Sequence, residues 1–259
     1  MNKLEKLNIQ LVNTARNTRA ASYRAFKAIA GKEAADTVKR AIRTTQAALK
    51  HKNTLPKDYE RLKALGLSGK PLKLHFGCAA RILKGWINID TRFADDIKTR
   101  SRTHIYPQQE IIGEREDLFI IDIAEGPLPL PDNSVDLIFH EDFIEHINQR
   151  DTVLFLAETL RVLKPGGVHR INTPELLGSM RRHSDFKKGW VGVHRNEWNF
   201  HGHYNVLTRQ YLEELARVVG YSQVIFNGKN KSIAPGMPID YRPDETREEH
   251  EQIHCDLVK

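Results

Sequence analysis

Histidine is the side chain best suited to take a proton near neutral pH. This chain sets His194, His201 and His203 close together, in a stretch that also holds Arg181, Arg182, His183, Trp190, Trp198 and Tyr204. An imidazole within reach of a hydroxyl can act as its general base, and aromatic faces beside it suit a sugar ring. His203 is the first choice, because it stands just before a helix opened by Thr208; His201 and His146 follow. Taken singly, each histidine serves equally well as a structural hydrogen-bonder. His201-Gly202-His203 is a lone H-x-H, and no stretch carries fuller metal-ligand spacing, so no metal site is assigned.

A second constellation lies upstream. Leu72, Leu74 and Phe76 form a short apolar run after Pro71, which reads as a buried strand. It enters the small-residue turn Gly77-Cys78-Ala79-Ala80. A second strand, Ile87-Asn88-Ile89, ends in Asp90. A turn with little side chain lets a ligand approach the backbone, and an acid at the next strand end can accept both hydroxyls of a ribose. The G-x-G-x-x-G that cradles phosphates is broken here, so an adenosine ligand without phosphates fits better. Leu118–Ile121 reads as a third strand ended by Asp122 and Ile123.

These residues carry a family resemblance. Gly77-Cys78-Ala79-Ala80-Arg81 resembles the G-C-G-x-G loop of class I S-adenosylmethionine-dependent methyltransferases. Gly85-Trp86-Ile87-Asn88-Ile89-Asp90 looks like the polysaccharide and sugar O-methyltransferase subgroup. Leu128–Asp136 is similar to the L-P-F-P-D-N-S-F-D segment of the class, Phe143–Ile147 to its L-E-H-I signature, and Leu163–Gly167 to its L-K-P-G-G. The resemblance runs from Leu72 to Lys259. It implies a Rossmann-like, doubly wound α/β fold: a mostly parallel seven-stranded sheet with an antiparallel last strand. It implies S-adenosylmethionine as cofactor, bound by Gly77, Cys78, Ala79, Asp90, Asp122, Ile123, His140 and Glu141. His146, in the shared signature, can hold that site together instead of acting as base. The subgroup implies methyl transfer to a hydroxyl of a sugar or polysaccharide precursor. The rivals are an RNA or small-molecule methyltransferase, and a decayed methyltransferase fold that scaffolds glycan assembly.

The elements that must position these groups follow from periodicity. Residues 1–52 read as two helices, with Leu4, Leu7, Leu11 and Ala15 on one face and Ala34, Val38, Ala41 and Ala48 on another. Residues 1–70 hold 16 Lys and Arg against 5 Asp and Glu, so the net charge of +7 belongs to this segment and the remainder is mildly acidic. That argues against nucleic acid as the substrate of the main domain. The basic helices suit an anionic membrane surface or a partner protein, or else a solvated extension. The expected division is a basic helical extension over 1–60 and the methyltransferase domain over 61–259, with a linker and short helix in 53–71. Further on, the reading is a strand Val135–Phe139, a helix Thr152–Leu163 capped by Asp151, a sharp stop at Lys164–Gly167, and a strand Val168–Asn172. A helix starts at Thr173, an irregular cover follows to residue 207, and a helix spans Arg209–Val219. Strands Tyr221–Phe226 and Gln252–Val258 close the sheet. Two cysteines are too few for a disulfide framework, which with no apolar leader points to a cytoplasmic protein, peripheral to a membrane if its basic helices bind one.

Overall fold

Short apolar runs separated by turns build one sheet in the computed structural model. The chain divides into two units, Met1–Asn53 and Thr54–Lys259. The structure describes residues 57–79, 81–91, 117–183, 191–238 and 248–259, all in the second unit. The helices expected in residues 1–52, the polar residues 92–116, Trp190 and Asp240-Tyr241-Arg242-Pro243 lie outside the described residues.

The strands are β1 (Lys73–Phe76), β2 (Ile87–Asp90), β3 (Leu118–Ile120), β4 (Val135–Glu141), β5 (Leu163–Pro174), β6 (Gln223–Phe226) and β7 (Gln252–Val258). They lie in the order β3-β2-β1-β4-β5-β7-β6. β1 to β5 are parallel; β7 runs antiparallel between β5 and β6 and bonds to both. This is the expected Rossmann-like arrangement. Strands covered on both faces read as continuous apolar runs, and Leu74, Phe76, Ile89, Ile120 and Ile138 are buried accordingly. Helices α1 (residues 57–66), α2 (Gln149–Val162), α3 (Leu176–His183) and α4 (Arg209–Val219) accompany the sheet.

Several boundaries differ from the sequence reading. The core begins before Pro71: Leu62 of α1 is fully buried, and the buried Asp58 carboxylate accepts the Ile120 N–H at 2.9 Å. α2 starts at Gln149, because Asn148 has the extended backbone of a cap and accepts the Asp151 N–H at 2.9 Å. Lys164–Gly167 stays within β5 as an irregularity in its pairing with β4. β5 then runs to Pro174, because β7 pairs with it through Pro174–Gln252. The helix therefore opens at Glu175, whose carboxylate accepts the Gly178 N–H at 2.6 Å. The described residues within 173–207 are more regular than expected. After α3, a helical turn over Val191–His194 widens into a π-helix over Arg195–Phe200. Thr208 caps α4 through the Tyr211 N–H, and Leu212 and Ala216 are buried, as the spacing requires.

Candidate functional site

The carboxyl ends of β1, β2 and β4 meet at the small-residue turn. Gly77 has φ +63°, and a Cβ there would lie 2.7 Å from the Phe143 ring. Only glycine fits both the backbone and the space. Its N–H donates to Ile89 O at 3.0 Å. Ala79 also sits at positive φ, +46°, and its N–H donates to Asp90 Oδ2 at 2.8 Å. Asp90 thus closes the turn with one oxygen while remaining partly exposed. Cys78 presents its backbone alone: its side chain is buried with Ile82, Leu118 and Ile120. Burial first, and the Asp90 charge second, push its thiol well up.

Asn88, which sequence reasoning passed over, ties this region together. Its Oδ1 accepts the Leu83 N–H at 2.9 Å and meets His75 Nδ1 at 2.8 Å. Its amide donates to the carbonyls of Leu83, Trp86 and Asp117. Burial holds His75 down at about 4, with the Asn88 bond working against it and the Arg81 charge with it. After β3, Asp122 Oδ1 accepts the Ala124 N–H at 2.9 Å, and Ile123 rests against the core. Asp90 and Asp122 therefore mark the ends of neighbouring strands.

Two of the expected cofactor residues are placed otherwise. His140 is fully buried among the rings of Phe143, Phe155 and His169, and among the described residues neither of its nitrogens has a hydrogen-bond partner. Burial, with His169 and His75 adding to it, holds it well below its ordinary value, so it is a neutral core side chain. Glu141 turns to β5 and accepts from Asn172 Nδ2 at 2.8 Å, while Asn172 Oδ1 meets His254 Nδ1 at 3.1 Å. A polar row thus crosses three strands.

The structure brings three of the four candidate histidines together. His146 and His203 lie edge to face, ring centres 4.8 Å apart, and His201 stacks on His203 at 5.5 Å. His194 lies beside Trp198 instead. His203 is buried, and its Nδ1 is 2.9 Å from Glu197 Oε2. Burial alone would raise the Glu197 carboxyl, but bonds from His203, Ser179 and Asn196 prevail and hold it at about 2. Glu197 is thus a charged anchor that orients the imidazole. No short-range spacing signals this pair. It depends on the π turn, in which the His201 N–H reaches back five residues to Asn196 O. Glu145 completes the group. It is fully buried on the turn after β4, accepts from Thr173 Oγ1 at 3.0 Å, and its own carbonyl takes the N–H groups of Tyr204 and Asn205. One ligand atom from each of Glu145, His146 and His203 lies within 4.8 Å of the others. Phe143, packed over Gly77, begins the same turn, so the histidine cluster stands next to the small-residue loop.

Residues 93–171 match the family model described as a methyltransferase domain. Over 60 residues the chain is 46% identical to a probable S-adenosylmethionine-dependent methyltransferase of Mycolicibacterium smegmatis, a match covering 22% of this chain and 23% of that protein. Among solved structures, an S-adenosylmethionine-dependent methyltransferase of Thermotoga maritima aligns with 86% of this chain and 96% of its own, at 17% identity and TM-score 0.43. One from Archaeoglobus fulgidus aligns with 78% and 94%, at 14% identity and TM-score 0.45. The matched segment of this chain carries β3, β4, α2 and most of β5.

Proposed function

We propose that this methyltransferase domain uses S-adenosylmethionine to methylate a hydroxyl of a sugar or polysaccharide precursor. The observation that carries the reading is the turn 143–146. Phe143 packs on the glycine of the nucleoside loop, and Glu145 and His146 join His203 a few residues on.

The loop fits the cofactor. It presents little side chain at 77–79, since Cys78 turns into the core and the glycine leaves no space for a side chain, and Asp90 offers acceptor oxygens suited to ribose hydroxyls. Asp122 stands one strand further, for the adenine amine. When bound, the cofactor supplies a methyl already activated on a sulfonium sulfur. The chain's own task is to orient the acceptor and dispose of one proton. The imidazoles of His146, His201 and His203 handle that hydroxyl, with Glu197 fixing His203. Exposed Phe200 and Tyr204 flank them, and their flat faces suit a sugar ring. The basic segment 1–52 serves an anionic surface or a partner protein of glycan assembly.

Calorimetric titration with S-adenosylmethionine and S-adenosylhomocysteine tests the cofactor. Asp90→Asn keeps an oxygen for the Ala79 N–H but cannot accept both ribose hydroxyls. We expect wild type to bind and the variant to bind about tenfold or more weakly, the equivalent of losing roughly one good hydrogen bond. A folded wild type that binds neither ligand overturns the reading. Transfer of labelled methyl to glycans, and to base-stable positions on them, then tests the acceptor.

A further inference from the structure

We propose that Glu145, His146 and His203 together hold a first-row divalent transition-metal ion that seats the acceptor's hydroxyl. This deepens the methyl-transfer reading above and rests on it for the acceptor; the ion site itself rests on geometry alone.

Two imidazoles and one carboxylate are a ligand set for zinc, manganese or iron in their divalent states. Three protein ligands leave positions open, the mark of a site that works on a substrate rather than one that staples a fold. The ligand atoms already lie within 4.8 Å of one another. Bonds of ~2.0–2.2 Å to a shared ion need them roughly 3–4 Å apart, and His146, on the exposed side, can turn to close the difference.

The surroundings are those of a built site. Metal-bound histidines characteristically give their second nitrogen to a carboxylate, which fixes the ring and raises its basicity. His203 gives Nδ1 to Glu197 at 2.9 Å, leaving Nε2 for the ion, and Glu197 is in turn held by Ser179 and Asn196. Glu145 is oriented by Thr173. The segment bearing His203 is strapped to Glu145 itself, through the Tyr204 and Asn205 N–H groups at 2.8 and 3.2 Å from its carbonyl. A fully buried carboxylate facing two imidazoles is best accommodated by positive charge between them.

An ion here changes the roles of the histidines. His203 becomes a ligand, and the proton falls to His201, which stacks on it and is exposed to solvent. The ion lowers the pKa of the acceptor's hydroxyl. The O–H bond breaks with its proton passing to His201 and on to water. The oxygen forms its bond to the methyl carbon as the carbon–sulfur bond breaks, and that electron pair stays on sulfur. The open positions favour an acceptor that offers two neighbouring oxygens, a vicinal diol.

The test uses the full chain, stripped with a chelator, desalted, and titrated calorimetrically with Mn²⁺ and separately with Zn²⁺; metal retained after dialysis is counted by mass spectrometry. We expect one ion per chain. His146→Ala, an exposed change that leaves the core intact, weakens binding about a hundredfold. Glu197→Gln weakens it about tenfold to a hundredfold, as loss of an orienting carboxylate does. His250→Ala, at an exposed residue, leaves binding unchanged. A stripped wild type that is folded and binds S-adenosylmethionine but takes up neither ion overturns the proposal and returns His203 to the role of base, with the methyl-transfer reading intact. One-to-one ion binding that His146→Ala leaves unchanged also overturns it. Ion binding by a chain that binds no S-adenosylmethionine supports the site while sinking the reading on which its use depends.

Discussion

Asn88 serves two sets of partners at once: its oxygen holds the Leu83 N–H and His75, and its amide closes the carbonyls of Leu83 and Trp86 in the turn before β2 and that of Asp117 just before β3. Removing a fully buried side chain of this kind leaves its partners unpaired, at about 1–3 kcal/mol for each that cannot find water. Asn88→Ala is therefore expected to lower stability by about 2–4 kcal/mol in chemical denaturation. Asp90, two residues on, was legible as a strand-end acid because its exposure and chemistry agree. Asn88 was not, since an inward-facing amide and a tolerated polar residue look alike until the turn it fills is known. The same holds for Glu197, which reaches His203 only through the π turn. His140 failed for the opposite reason: its place at a strand's carboxyl end was read correctly, but the alternation of the strand turns its ring into the core.

At the scale of elements, type and order were readable and the ends were not. β7 and α4 fell within their expected bounds, because apolar residues and the Thr208 and Gly220 caps agree there. α2 shows how a boundary is lost. Asn148 and Asp151 are both good caps, and they bond to each other, amide to carboxylate at 2.7 Å and N–H to amide oxygen at 2.9 Å. Only Asn148 has the extended backbone a cap needs. Asn148→Ala should cost about 1 kcal/mol in thermal or chemical unfolding, and Asp151→Ala clearly less, because it retains its N–H. Equal losses would contradict the assignment. The extension of β4 and β5 has a similar origin: pairing with β5 lengthens β4, pairing with β7 lengthens β5, and pairing is invisible in a single segment.

For the whole molecule, buried histidines set the response to acid. Burial holds His75 at about 4 and His169 at about 3, against 6.5 for the free side chain. The unfolded chain then binds more protons than the folded one below pH 6.5, so stability is full above that value and declines as the pH falls toward 4. At pH 5 each of the two costs up to about 2 kcal/mol, at 1.36 kcal/mol per unit. Denaturation at pH 7.5 and 5 is expected to show that loss; equal stabilities would mean these rings are charged in the fold. Glu197, held near 2, adds its own loss only below about 4.5. Among the described residues, no helix is long and apolar enough to cross a membrane.

β7 also sets a timetable. A growing chain emerges from the ribosome with β1 to β5 in a workable order, each parallel strand beside one already made or soon to follow. β6 emerges next and has no place, since its neighbour in the sheet is β7. Until Gln252–Val258 has been synthesised, the β5 edge from Val168 to Pro174 stays open. An open edge of that length invites pairing with another chain. The interval between making β5 and making β7 is the period in which a nascent copy of this protein is most exposed to its neighbours on the same message.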